Sequence, residues 1–162
     1  MIKKTVILLV LINFILLSCT KKSQETYSYT FRENANLNIE TSEDSYMKYG
    51  RVEEGANLVF EYKYKAEDVE NIADDEYSEL IRFEIESSLD KFNYSDDELS
   101  NINAVFTKEC FCWFDSDEKK NVSPTGTISG KKLSETEWDI TFDITFYGDE
   151  LKIISNIFRL KK

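Results

Sequence analysis

The chain has 162 residues, with 20 Lys+Arg, 31 Asp+Glu and no His, and a formal net charge of −11 at pH 7. Without histidine the chain cannot build a Ser-His-Asp triad, a Cys-His pair or a His-ligated zinc site. Its negative charge disfavours nucleic acid, which proteins bind by neutralising phosphates with Lys and Arg. We therefore expect a non-enzyme that has no catalytic residues, no cofactor, no metal and no nucleic-acid partner.

The first 18 residues have the order of a signal peptide. A short basic region, residues 1–4, precedes residues 5–17, an apolar run interrupted only by Asn13. A helix of that length reaches about 20 Å, short of the roughly 30 Å hydrocarbon core of a bilayer. The run therefore fits a cleaved signal better than a spanning helix, and an uncleaved membrane anchor is the alternative.

The run ends in Leu16-Leu17-Ser18-Cys19, and this arrangement resembles the lipobox of bacterial lipoprotein precursors. The resemblance implies cleavage before Cys19 and a diacylglyceryl group on its sulfur, usually followed by acylation of the new N-terminus with a fatty acid such as palmitate. Two or more acyl chains hold a protein durably on a membrane, at about 0.8 kcal/mol per buried CH₂. An ordinary cysteine of the apolar run is the alternative for Cys19.

The lipobox divides the chain into three parts: residues 1–18 as signal peptide, 19–26 as a lipidated tether and 27–162 as one β-rich extracytoplasmic domain. The signal contains Lys3 and Lys4 and no acidic residue. Its removal leaves 144 residues and changes the net charge from −11 to −13. The expected location is the cell envelope, with the outer membrane favoured because Thr20, rather than an Asp, follows the lipidated cysteine.

The domain alternates apolar and polar residues with the period of two that is typical of half-buried strands. Residues 77–92 fit either a strand over 80–86 or a helix, and we favour the strand. The sequence Ser95-Asp96-Asp97-Glu98 has the form of a capping box and predicts one short helix before Ile102. The predicted strands cover 27–31, 46–52, 58–64, 80–86, 104–114, 122–133, 140–146 and 151–157.

Seven to eight strands with short turns predict an antiparallel all-β domain. A two-sheet β-sandwich is the favoured architecture, and a small closed β-barrel is the alternative. The clearest hairpin is the last one, with Gly148-Asp149 as a two-residue type II′ turn. Folding about that turn pairs Phe146 with Leu151 and Ile144 with Ile153, which places these apolar side chains on one face.

Cys110-Phe111-Cys112 is the most unusual local sequence of the domain. In an extended strand the two thiols share a face and lie about 6.6 Å apart along the chain, so a disulfide needs a bend. The favoured interpretation is two buried thiols packed with Phe106 and Phe114. The alternatives are a disulfide, which an oxidising envelope favours, and a metal-binding pair.

Acidic residues and tyrosines are unevenly distributed. Residues 66–98 contain 13 Asp+Glu against Arg82 and Lys91, which predicts an acidic surface that is either simply solvated or able to dock a basic protein. Asp115-Ser116-Asp117 begins like a calcium loop, but lysines occupy later positions that need an Asp or Asn and a Gly. Six tyrosines predict core packing or a row that contacts sugars or a partner protein: Tyr27, Tyr29, Tyr46, Tyr49, Tyr62 and Tyr64.

Residues 73–79, Cys110-Phe111-Cys112 and residues 126–131 resemble stretches of small uncharacterised lipoproteins of Bacteroidota, a resemblance that implies no activity. The first functional hypothesis is a lipid-anchored, non-enzymatic module for binding an unknown protein or glycan. An inhibitor or immunity protein against a basic envelope enzyme is the second. A lipocalin-like carrier of apolar ligands is the third, since a closed barrel could enclose one, and a thiol-redox role of Cys110 and Cys112 is the fourth.

Overall fold

A computed structural model describes residues 24–68, 76–114 and 117–161, and in these ranges the chain is all-β, as predicted. None of the helices in these ranges has the length and apolar character needed to cross a membrane. The two helices are α1 (Glu98–Asn101) and α2 (Asp117–Lys120). The nine strands are β1 (Thr26–Thr41), β2 (Lys48–Glu54), β3 (Asn57–Lys65), β4 (Ser78–Glu86), β5 (Lys91–Ser95), β6 (Val105–Glu109), β7 (Thr125–Ser134), β8 (Glu137–Phe146) and β9 (Glu150–Leu160).

The nine strands form one open, mixed sheet in the order β5-β7-β8-β9-β1-β3-β4-β6, with β2 paired to the far half of β1. Neither the two-sheet sandwich nor the closed barrel is confirmed, because β1 and β9 hydrogen-bond in parallel while β5 and β6 remain the two ends of the sheet. The parallel pairing is brief, joining Thr30 to Arg159 and Phe31 to Leu160. This short bridge merges what would otherwise be two sheets.

The sheet bends over so that its two halves face each other across one aromatic core. Phe60 on β3 lies 5.5 Å from Trp138 on β8 and 6.2 Å from Phe92 on β5, measured between ring centroids. Farther along, Phe106 on β6 lies 5.7 Å from the ring of Phe146 on β8. Phe60, Phe106 and Trp138 are at most 1% exposed, so aromatic side chains fill the space between the halves.

A second, smaller core covers the back of β3, β4 and β6. The backbone of β1 bends at a register shift between Arg32 and Ala35, where Asn34 has a φ of 52°. After the bend, β1 and β2 lie over the back of the sheet, and Leu37 packs with Val59 and Val105. The front residues Phe60 and Phe106 adjoin these two valines in sequence and point the other way, as strand geometry requires.

Charged side chains of β3 and β4 form hydrogen bonds with one another and with their neighbours beneath the β1–β2 hairpin. Arg82 donates from Nε and Nη2 to Glu61 Oε2 at 2.8 and 2.6 Å, and from Nη1 to the carbonyl of Gly50. Lys161 donates to the other oxygen of Glu61 at 3.2 Å. Burial alone would raise the pKa of Glu61, but the two cations outweigh burial and hold that pKa below its ordinary value.

The lowered pKa of Glu61 predicts an acid-sensitive contribution to stability. A carboxyl whose pKa is lower in the folded chain stabilises it above the unfolded pKa, about 4.3, and this contribution disappears as the pH falls through the folded pKa. We expect the free energy of unfolding to decrease as the pH falls below about 4.3, and to decrease less in Glu61→Gln. Urea unfolding across this pH range measures both, and identical slopes would contradict the assignment.

The C-terminal hairpin forms with a turn and a register that differ from the prediction. Tyr147 and Gly148 have φ values of 53° and 84°, and the amide of Asp149 donates to the Phe146 carbonyl at 3.2 Å, as in a type I′ turn. Phe146 then pairs with Glu150, so Asp149 is an extra residue and every predicted partner is wrong by one. Two of the residues predicted to face the core, Leu151 and Ile153, are instead 56% and 68% exposed.

The other predicted strands are confirmed, with differences in extent: the strand predicted over 27–31 continues to Thr41, and those predicted from 46 and from 122 begin at Lys48 and Thr125. The strand predicted over 104–114 ends at Glu109, because the chain turns at the cysteine pair. Strand β5 was not predicted, and it pairs with β7 so that Phe92 lies opposite Gly130. The predicted helix is α1, where Glu98 accepts a hydrogen bond from the Ser95 amide at 3.0 Å, one half of a capping box, while the N-cap residue Asp97 makes no side-chain capping hydrogen bond.

Candidate functional site

Tyrosines line one end of the front face of the sheet, next to the aromatic core. Three cross-strand rows over β1, β3 and β4 can be read from the register, and they change from apolar to polar towards the end at which β1 begins. Only the first is wholly buried. The rows are Phe31-Phe60-Phe83, Tyr29-Tyr62-Ile81 and Tyr27-Tyr64-Glu79.

We call Tyr27, Tyr29, Tyr62, Tyr64 and Tyr77 the tyrosine lip. Ring centroids lie 5.0 Å apart for Tyr27 and Tyr64, 5.5 Å for Tyr29 and Tyr62, and 6.3 Å for Tyr64 and Tyr77. Tyr27 is 51% exposed and Tyr62 only 7%, so the lip grades from solvent into the core. Its contact distances are those of aromatic pairs that stabilise one another beyond their buried area.

A charged pair lies beneath the tyrosine lip. Lys152 on β9 donates to Glu79 Oε2 at 2.7 Å, and Tyr77 donates its hydroxyl to Oε1 of the same carboxylate, also at 2.7 Å. The side chains of Glu79 and Lys152 are only 14% and 18% exposed. Lys152 Nζ also lies 4.6 Å from the ring centroid of Phe106. The pair connects β4 to β9 across the bend of the sheet and orients Tyr77.

The lip presents neutral phenols. Burial, followed by the nearby carboxylate of Glu79, raises the pKa of Tyr62 well above its ordinary value. Burial and the hydrogen bond to Glu79 raise the pKa of Tyr77 in the same direction. Both hydroxyls therefore remain protonated throughout the physiological range. Flat rings with hydroxyl groups beside a carboxylate can stack on a sugar ring or pack against a protein side chain.

Four of the six tyrosines singled out from the sequence meet in the lip, and two do not. Tyr46 is buried against Tyr147, with ring centroids 5.1 Å apart, and Tyr49 lies on β2. Tyr77 was missed as a member, although it continues the front-face alternation of β4. The cross-strand pairing of β1, β3 and β4 assembles the lip, and that pairing could not be read from the tyrosines themselves.

The cysteine pair forms a disulfide in an exposed loop. The Cα atoms of Cys110 and Cys112 lie 5.1 Å apart, closer than the extended spacing, and the intervening Phe111 is 89% exposed. Trp113 follows at 81% exposed. The favoured interpretation of two buried thiols is therefore wrong, because the two cysteines are bonded to each other. The bend that brings them together places the side chains of Phe111 and Trp113 in solvent.

Phe111 and Trp113, with the disulfide, form what we call the aromatic tip. Its C-terminal side is fixed by Phe114, whose ring packs edge-on against Tyr46 at 5.9 Å. Tyr46 also packs against Tyr147, which donates its hydroxyl to the Phe106 carbonyl at 2.7 Å. Burial raises the pKa of Tyr147 to about 12, so this hydroxyl remains a donor.

The disulfide is predicted to contribute little to stability, because it closes a loop of only three residues. The chain-entropy relation gives about 1.5 kcal/mol for such a loop. We expect Cys110→Ser/Cys112→Ser to lower the free energy of unfolding by about that amount, as measured by urea denaturation. Dithiothreitol should shift the wild-type curve equally and leave the double variant unchanged. A wild-type curve unaffected by the reductant would contradict the prediction.

The lip and the tip lie at the end of the sheet where β1 begins. Thr26 pairs with Lys65, Lys65 with Ser78, and Ser78 with Glu109, the residue before Cys110. Neighbouring strands lie about 4.8 Å apart, so these three steps span roughly 14 Å. The far end of the sheet contains the β7–β8 turn, which Leu133, 51% exposed, adjoins.

Acidic side chains of residues 66–98 lie on more than one face of the sheet. Glu79 points to the front of β4, whereas Glu84 points to the back, where it accepts hydrogen bonds from the Leu37 amide at 2.8 Å and from Asn103 at 2.6 Å. Asp96 accepts the Gly126 amide at 2.9 Å. Acids of β4 therefore occur on both faces of that strand, and the acidic surface predicted over residues 66–98 stays a prediction.

Two predicted sites fall outside the described residues. The lipobox and Cys19 precede residue 24, and Asp115 and Ser116 of the calcium-loop candidate lie between two described ranges. Across those ranges, no group of three or more Cys, Asp or Glu side chains is arranged to hold a metal ion. Comparisons with protein-family models, with curated protein sequences and with solved structures found no match.

Proposed function

We propose that the chain is a lipid-anchored cell-envelope protein whose tyrosine lip binds a protein or glycan partner without chemical conversion. The lipobox supports the anchor, since it combines the basic start, the apolar run and Cys19 in the spacing of a lipoprotein precursor. The lip supports the binding function, because five tyrosines, graded from 51% exposed at Tyr27 to 7% at Tyr62, gather at one end of the sheet beside a carboxylate that accepts two hydrogen bonds. That gathering is the observation on which the proposal depends.

The position of the lip restricts where its partner can lie. Strand β1 begins seven residues after Cys19, and seven extended residues span at most about 25 Å. Tyr27 is the second residue of that strand. A lip at the end of so short a tether meets partners at the surface of the membrane that holds the anchor. A membrane-surface glycan and the exposed part of a membrane protein both fit this position.

The filled interior favours surface binding over the carrier hypothesis. A lipocalin-like carrier needs a closed barrel with a hollow interior, whereas this sheet is open and its front face is packed with rings such as Phe60 and Trp138. The hypothesis of an inhibitor or immunity protein stays a prediction. Basic muramidases that remain fully active with the purified protein, with no salt-dependent binding, would contradict it.

Photo-crosslinking tests the lip directly. Benzoylphenylalanine placed at position 27 or 64 in cells should give a discrete crosslinked product, since its ketone attacks C–H bonds of proteins and of glycans alike. The matched control is the same group at Leu133, an exposed apolar position at the far end. Proteinase and glycosidase treatment then separates the two partner classes. Absence of product at both lip positions, or the same product at position 133, would contradict the proposal.

Metabolic labelling tests the anchor. Wild-type protein should incorporate labelled palmitate, and globomycin should retain the precursor form. Cys19→Ala should retain the precursor and lose the label, because the lipid is attached through that sulfur. Normal labelling of Cys19→Ala would refute the anchor whatever the lip binds.

A further inference from the structure

We infer that the aromatic tip, Phe111 and Trp113 beside the Cys110–Cys112 disulfide, lies in the interfacial layer of the bilayer that holds the anchor. The inference rests on the proposed anchor at Cys19 and goes beyond it, because an anchor at Cys19 alone leaves the orientation of the domain undefined. Phe111 and Trp113 are 89% and 81% exposed, more than any other large hydrophobic side chain the structure describes.

The tip is restrained on both of its sides. The disulfide closes its N-terminal side, and Phe114 fixes its C-terminal side by packing against Tyr46. A loop restrained in this way loses little conformational freedom when its side chains are buried by a partner. The core packing of the domain does not use these two rings, since Trp138 and Phe60 fill the interior without them.

The topology places the tip at the same end of the sheet as the start of β1. The Thr26–Lys65–Ser78–Glu109 row puts the start of β1 and the end of β6 roughly 14 Å apart at one end of the sheet. The tether reaches at most about 25 Å from Cys19. The tip therefore lies within reach of the bilayer whenever the anchor is inserted.

The chemistry of the tip fits the membrane interface. Tryptophan concentrates at the level of the headgroups, where its ring meets both hydrocarbon and water, and phenylalanine is among the apolar residues that interfacial segments bury there. Phe111-Cys112-Trp113 has no charged side chain, and a chain with an excess of acidic residues gains no attraction to anionic headgroups. Insertion of the tip into the interface is thus driven by the burial of apolar surface. The anchor makes this insertion intramolecular, with an effective concentration on the order of millimolar.

Tryptophan fluorescence tests the inference with the intact lipoprotein. The chain has two tryptophans, and Trp138 is 1% exposed in the core. The protein is purified from cells labelled with palmitate and reconstituted in phosphatidylcholine vesicles with and without brominated acyl chains. We expect the brominated lipid to quench the Trp113 part of the emission, up to about half of the total, and Trp113→Phe to abolish this quenching.

A relocated tryptophan provides the matched control. In Trp113→Phe/Leu133→Trp, the reporter lies at the far end, and we expect no quenching by brominated lipid. Labelled, vesicle-bound protein in which Trp113 is not quenched would overturn this inference alone. Protein without label that does not bind vesicles would overturn both the anchor and this inference. Trp113 shielded from acrylamide only at high protein density, without lipid quenching, would show that a second copy covers the tip and would also overturn it.

Discussion

Phe60→Ala is expected to cause the largest loss of stability, about 3–5 kcal/mol, the range seen when a buried phenylalanine is truncated. The Phe60 side chain is 0% exposed, and its ring lies 4.9 Å from Phe83, 5.5 Å from both Phe31 and Trp138, and 5.9 Å from Phe158. These rings come from both halves of the bent sheet, so the cavity would open where the halves meet. The shift in urea midpoint, with the slope unchanged, measures the loss.

Phe111→Ala is the matched control for this truncation. The same atoms are removed from a ring that is 89% exposed, so the free energy of unfolding should change by no more than about 0.5 kcal/mol. Equal effects of the two truncations would contradict the placement of Phe60 in the core and of Phe111 in the tip.

Lys152→Met is expected to produce the second large effect. It leaves Glu79 with Tyr77 as a partner but without its cation, in a site where the carboxylate side chain is only 14% exposed. Breaking one side of a buried pair costs about 3–5 kcal/mol, and the residual exposure here reduces the expected loss to about 2–3 kcal/mol. Urea denaturation at neutral pH measures the effect.

Two further variants separate the ion pair from the loss of packing. Glu79→Gln/Lys152→Met should recover part of the stability, because no unpaired charge remains. Lys132→Met is the surface control, since its partner Glu135 is 85% exposed, and it should cost no more than about 1 kcal/mol. A double variant less stable than Lys152→Met would contradict the role of Glu79 as the group left unpaired.

The strands were predictable from the sequence because alternation depends on local geometry. Phe60, Tyr62 and Tyr64 share a face wherever the strand lies, since side chains alternate along any strand. The same rule predicted the strand over 80–86 instead of a helix. The single open sheet was not predictable, because two residue pairs between β1 and β9 decide it, and no local pattern marks so short a contact.

The predicted register of the C-terminal hairpin is wrong for a specific reason. Strand β9 has adjacent isoleucines, Ile153 and Ile154, so its apolar pattern fits either face. The backbone conformation of Tyr147, with a φ of 53°, moves the turn by one residue and selects the face that the pattern disfavoured. A positive φ is uncommon for residues other than glycine. The prediction therefore started the turn at Gly148 rather than at Tyr147.

The lip and the tip show which parts of a candidate site can be predicted from the sequence. Tyr27 and Tyr64 were visible as tyrosines of two strands, yet their contact needs the antiparallel register of β1 and β3. The disulfide was one of the open alternatives for Cys110 and Cys112, whereas the exposure of Trp113 follows only from the bend. Sites assembled by non-local pairing are hidden in this way because the alternation within a strand carries no information about its neighbours.

The N-terminal peptide of the mature protein tests the central claim most directly. Mass spectrometry of protein isolated from the cell envelope should find a peptide that begins at Cys19, with a diacylglyceryl group on the sulfur and an acyl chain on the amine. A mature chain that begins at another residue and carries no fatty acid would contradict the anchor. The placement of the lip and the aromatic tip at the membrane surface would then be contradicted as well.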